Sequence, residues 1–182
     1  EEIRKFSEVP IVFYTYFNLV FSQGVEEYVK RSQSSGVDGL LTLDLPPEEA
    51  TELVEASRAH GIKNIFIVAP TTPESRIPTI IESASGFLYY VSREGVTGER
   101  KDLASDLADR VGAIRKFSDL PVVVGFGVST PEQVSSVSEV ADGVVVGSAL
   151  VNCISENLSS LGSIPQAIGD RAAGLVRGLT PA

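Results

Sequence analysis

The chain has 182 residues, 43% of them hydrophobic and 21% charged, and its 15 basic and 24 acidic side chains leave a net charge of −9. That suits one ordinary globular domain with a sizeable core, while an acidic chain without a basic cluster argues against nucleic acid or an anionic membrane as a partner. Apolar runs such as residues 9–16 are too short to span a bilayer, and the single cysteine, Cys153, has no partner for an internal disulfide, which fits a reducing compartment.

In chain order, the opening residues 1–8 carry helical apolar spacing at Ile3 and Phe6 but no cap and no methionine, the pattern of a chain that begins inside a helix. Residues 10–16 are a continuous apolar run and predict a strand buried on both faces. Residues 24–35 predict a helix with Val25, Tyr28 and Val29 on one face and Gly36 as its stop. Residues 38–44 predict the next strand. Pro46 and Pro47 then open a helix whose first turn holds Glu48 and Glu49 and which Gly61 ends after His60. Residues 64–69 read as a strand, residues 72–84 as a helix interrupted by Pro78, and residues 86–92 as a strand. A loop with two glycines, Gly95 and Gly98, precedes a helix over 103–117. A closing helix over 164–179 is weakened by Gly169, Gly174 and Gly178.

The stretch from Pro121 to Leu150 organises the rest. Val122, Val123 and Val124 end in Gly125-Phe126-Gly127, a helix capped at residues 129–132 follows, and Val144, Val145 and Val146 end in Gly147-Ser148. Glycines just after buried strands let a ligand approach the backbone, and a helix starting beyond them points unpaired N–H groups at an anion. Six such strand–helix units, with no linker or composition break, predict a single α/β domain over residues 1–182. Three glycine-bearing loops favour a barrel, which gathers its loops at one mouth, over an open doubly wound sheet.

Taken together, Tyr16-Phe17-Asn18, Asp44-Leu45-Pro46, Gly95-Val96-Thr97-Gly98, Gly125-Phe126-Gly127 and Gly147-Ser148 make the chain resemble the tryptophan synthase α-subunit family from about Pro10 to Leu158. The resemblance implies a (β/α)8 TIM barrel, here incomplete: βα units 3 to 8, with the first two missing. It implies retro-aldol cleavage of indole-3-glycerol phosphate to indole and glyceraldehyde 3-phosphate, in a cytoplasmic enzyme or, in a plant or alga, a plastid one. It also implies a partner β subunit in an α2β2 assembly, which holds pyridoxal phosphate, so that no cofactor is expected in this chain. Carried over by motif, Gly98, Gly127, Gly147 and Ser148 hold the substrate phosphate and Tyr16, Tyr89 and Phe126 line the indole pocket. Thr97 supports a catalytic aspartate, and Asp44 and Pro46 lie near the partner interface. The family's catalytic glutamate and aspartate have no match among these residues, so the chain is expected to bind substrate without turning it over.

Blander readings attach to the same residues. Any one glycine is turn punctuation, the tyrosines are core, and Asp44 accepts a hydrogen bond from the helix start that follows it. His60 offers a favourable charge at a helix end, Cys153 is a small buried apolar residue, and one histidine makes a metal site an unsupported idea. Two other functions stay open: another phosphate-binding barrel of histidine or tryptophan synthesis, and a phosphate-binding remnant or regulatory subunit without catalysis.

Overall fold

A computed structural model describes residues 1–92, 100–125 and 127–179, the side chains of residues 100–105 excepted. The chain divides into two compact units, residues 1–68 with 73–88, and residues 69–72 with 89–182.

The first unit begins with a 3-10 turn, Ile3–Lys5, followed by β1 (Val12–Thr15), α1 (Phe17–Phe21) and α2 (Val25–Ser34). Then come β2 (Gly39–Thr42), a 3-10 turn over Pro47–Glu49, α3 (Thr51–Ala59), β3 (Lys63–Val68), a 3-10 turn over Glu74–Arg76 and α4 (Ile77–Ser83). The strands lie side by side in chain order and run parallel, with Val12 opposite Gly39 and Leu41 opposite Ile65. Val29 and Val25 of α2 and Leu53 of α3 are buried with Leu40, Leu41 and Ile65. The helix stops are as expected: Gly36 and Gly61 both take positive φ, 83° and 73°. His60, which follows α3, reaches across to α2, its Nε2 lying 2.9 Å from Glu26 Oε1.

Two expectations change here, and one element was not foreseen. The run over residues 10–16 is not buried on both faces: Phe13 and Tyr14 are exposed, because among the described residues β1 pairs with β2 alone. Pro78 does not interrupt a helix. It sits in the first turn of α4, where its missing N–H costs nothing, and the preceding residues form the separate 3-10 turn. The short helix α1, hidden in the Phe17-Asn18 motif, has no apolar periodicity long enough to announce it.

In the second unit, β4 (Leu88–Val91, in this unit from Tyr89 on), β5 (Val122–Gly125) and β6 (Gly143–Val145) again follow chain order. Helix α5 (Arg100–Arg115) precedes β5, α6 (Pro131–Ser138) joins β5 to β6, and α7 (Ser148–Glu156) and α8 (Ile164–Val176) close the chain. Thr130 and Gln133 form a reciprocal capping box at the start of α6. Cys153 is buried, as expected of a small apolar residue.

Both units share a device that the order of strands and helices does not reveal. Residues 3–12, IRKFSEVPIV, recur as residues 114–123, IRKFSDLPVV, identical at seven of ten positions. In the first unit Asp38 Oδ2 accepts from Ile11 N at 2.7 Å and pairs with Arg4 at 2.5 Å, while Asp38 N donates to Ile11 O. In the second, Asp142 Oδ2 accepts from Val122 N at 2.8 Å and pairs with Arg115 at 3.0 Å, while Asp142 N donates to Val122 O. Each aspartate thus ties the start of one strand to the start of the next, and the glycine after it opens the new strand in the same register, Val12 opposite Gly39 and Val123 opposite Gly143.

Candidate functional site

The residues expected to hold phosphate belong to the second unit. The register of β5 on β6 sets Gly125 opposite Val145, which carries Gly127 and Gly147, each two residues further on, to the same end of the strand pair. Both glycines are exposed. Gly127 has φ 70°, a conformation that a side chain disfavours. Gly147 precedes α7 with φ −112°, and a β carbon built on it would meet no atom within 4 Å. Packing therefore does not require glycine at 147, and the open space beside it suits a ligand drawn against the backbone. Ser148, also exposed, is the first residue of α7, whose N-terminal amide groups have no intrahelical acceptors. The register thus brings Gly127, Gly147 and Ser148 to one end of the strand pair, where the available donors are neutral groups of a kind suited to an anion. Gly98 and Thr97 lie outside the described residues.

Tyr89 of β4 is half-buried beside this strand pair. A β carbon at Gly125 would lie 2.5 Å from its Oη and 2.8 Å from Val145 Cβ, so the tyrosine passes over Gly125 and only glycine fits beneath it. Sequence reading missed this role for Gly125; the signal was a glycine at the end of a β-branched run. Phe126 lies outside the described residues.

In the first unit, Tyr16 follows β1 and is 57% exposed, a side chain no core has claimed. It precedes α1 in extended conformation, φ −94° and ψ 150°. Asp44, exposed two residues after β2, accepts a hydrogen bond of 2.6 Å from Phe17 N, the first amide of α1. The expected acceptor role is therefore real, but the donor belongs to the helix after β1 rather than to the turn that follows Asp44. Pro46 leads into the 3-10 turn over Pro47–Glu49. Tyr14, two residues before Tyr16 on the strand, has its hydroxyl pKa raised by partial burial and by the neighbouring Tyr16. Among the described residues no group of His, Cys, Asp or Glu is placed to hold a metal ion, and no helix is long and apolar enough to cross a membrane.

A family model described as tryptophan synthase alpha chain matches residues 1–169. The tryptophan synthase alpha chain of Opitutus terrae is 59% identical over 97% of this chain, and that of Methanocaldococcus jannaschii 44% identical over 88%. The chain spans only 66% and 57% of the lengths of these two relatives. Among solved structures, a chain of the tryptophan synthase α2β2 complex from Pyrococcus furiosus superposes with a TM-score of 0.84 at 39% identity, covering 96% of this chain and 70% of its own. Tryptophan synthase subunit alpha from Legionella pneumophila gives 0.86 at 34% identity, covering 98% and 66%. The fold class is accordingly α/β, an incomplete TIM barrel of six parallel strands.

Proposed function

The chain belongs to the tryptophan synthase alpha chain family, and from that premise we propose that it serves the lyase reaction of tryptophan synthesis, the cleavage of indole-3-glycerol phosphate to indole and glyceraldehyde 3-phosphate. The observation that carries this reading is the pair of exposed loops at the ends of β5 and β6, where Gly127, Gly147 and Ser148 converge. Their backbone N–H groups and the Ser148 hydroxyl, with Gly98, hold the phosphate. Tyr16, Tyr89 and Phe126 form walls for the flat indole ring, and Thr97 supports a catalytic aspartate. Asp44 and Pro46 face a β subunit in an α2β2 assembly, the subunit that carries pyridoxal phosphate. We read residues 1–182 as a single domain, βα units 3 to 8 of a barrel, in a cytoplasmic or plastid protein.

Cleaving the carbon–carbon bond requires a proton delivered to the indole ring and another withdrawn from the glycerol hydroxyl. No acid among the 182 residues matches the family's glutamate or aspartate, so the chain by itself binds and positions substrate while turnover awaits those two carboxylates. Calorimetric titration with indole-propanol phosphate tests the binding: saturable uptake is expected, weakened by competing inorganic phosphate. Preference for a phosphoribosyl ligand would instead favour a different phosphate-binding barrel. Release of indole from indole-3-glycerol phosphate, assayed alone and with a β subunit, tests the chemistry; turnover by the isolated chain would contradict this separation of binding from catalysis.

A further inference from the structure

We infer that Asp44 is a positioning residue for Tyr16, holding one wall of the indole pocket in place through the chain's own backbone; the inference rests on the proposed indole-binding function. A helix's first amides have no acceptor in their own helix, and a carboxylate is among the best groups to supply one. Here the acceptor is Asp44 Oδ1, 2.6 Å from Phe17 N, and its donor is the residue bonded to Tyr16. Tyr16 is 57% exposed and its side chain makes no capping bond to α1. The backbone bond from Leu43 N to Thr15 O holds the residue before Tyr16 at the end of β2, and the bond from Phe17 to Asp44 holds the residue after it.

The internal repeat shows that this position is not incidental. Val12 and Val123 stand opposite Gly39 and Gly143 in matching register. Five residues on from each glycine lie Asp44 in the first unit and Ser148 in the second, and five on from each valine lie Phe17 and Val128. Asp44 thus occupies in the first unit the place that Ser148, a proposed phosphate ligand, takes in the second. In one half the strand-end anion comes with the substrate; in the other it is the protein's own carboxylate, and what it orders is the wall for the ring.

The role depends on an acceptor oxygen rather than on charge. In the full chain, Asp44→Ala is expected to weaken indole-propanol phosphate about tenfold and leave inorganic phosphate binding unchanged, whereas Asp44→Asn, which keeps an acceptor, restores the ring affinity. In a Tyr16→Ala background, Asp44→Ala should have no further effect. Should Asp44→Ala not fold, Phe17→Pro removes the donor instead: proline suits the first helical position, and Tyr16 already holds the extended conformation that must precede it. Phe17→Pro is then expected to bind the indole ligand more weakly than Phe17→Ala, with equal phosphate affinity. Equal loss of both ligands, full effect of Asp44→Ala without Tyr16, or failure of Asp44→Asn to rescue would each overturn the inference. If the unaltered chain binds inorganic phosphate and no indole ligand, the indole reading itself fails, a result distinct from any of these.

Discussion

Two glycines at the ends of neighbouring strands are glycine for opposite reasons. Gly125 lies beneath Tyr89 and against Val145, so Gly125→Ala forces atoms into a filled space and is expected to destabilise the protein by roughly 1–3 kcal/mol in a denaturant titration. Gly147 faces open space, and its φ of −112° is available to any residue. Gly147→Val should therefore cost the fold about 1 kcal/mol or less while weakening inorganic phosphate binding about tenfold or more, because the added methyl groups stand where the anion must approach. A Gly147→Val protein that binds phosphate as well as the unaltered chain would remove this loop from the site. Residue identity alone could not separate the two cases: both are glycines after a valine run, and the difference lies in neighbours that are distant along the chain.

At the scale of elements, two aspartate clamps tie strand starts together, Asp38 joining β1 to β2 and Asp142 joining β5 to β6. The amide of Val122 is the chief reason that the Asp142 carboxyl lies below its ordinary pKa of 3.8, with the Arg115 guanidinium adding to it and partial burial opposing it. A carboxylate whose folded pKa is depressed contributes stability that is present above its unfolded pKa and lost as pH falls through the folded value. Asp142→Asn should accordingly be less stable than the unaltered chain at pH 7, by no more than about 1 kcal/mol once solvent screening of this exposed pair is counted. The difference should vanish on acidification below the ordinary carboxylate range, as followed by thermal melts across pH. The start of α6 gives a parallel case without charge: Thr130→Ala breaks the capping box with Gln133 and is expected to cost about 1 kcal/mol.

For the whole molecule, the exposed apolar residues of the first unit matter most. Phe6 is 81% exposed and Tyr14 60%, close to Val9, Phe13 and Phe21 in the sequence, and all are exposed. The backbone groups of β1 on the side away from β2 have no strand partner among the described residues. An apolar edge of this kind pairs with other chains, so light scattering should show the protein self-associating as its concentration rises, and a charged substitution such as Phe13→Lys should reduce that association. A monodisperse monomer at all concentrations would contradict the expectation. The reading of both units as one domain predicts a single cooperative thermal transition, with calorimetric and van't Hoff enthalpies equal; two resolved transitions would make them separate domains.

Local chemistry alone determined the order of strands and helices, since apolar runs, helix-stopping glycines such as Gly36 and Gly61, and the capping residues at 129–132 act on a few neighbours and can be read from them. The pairing of the glycine loops was also legible, because consecutive parallel strands bring their ends together. The repeat of residues 3–12 at 114–123 was there to be read as well. Tertiary structure decided what depends on distant neighbours: the exposure of β1, which an apolar run cannot reveal because burial requires a second strand to cover it; the contact of Tyr89 with Gly125; and the bond from Phe17 to Asp44. The last joins residues 27 apart in the chain, and no periodicity links an aspartate after one strand to an amide after another. Only the parallel register of β1 and β2 places them within reach.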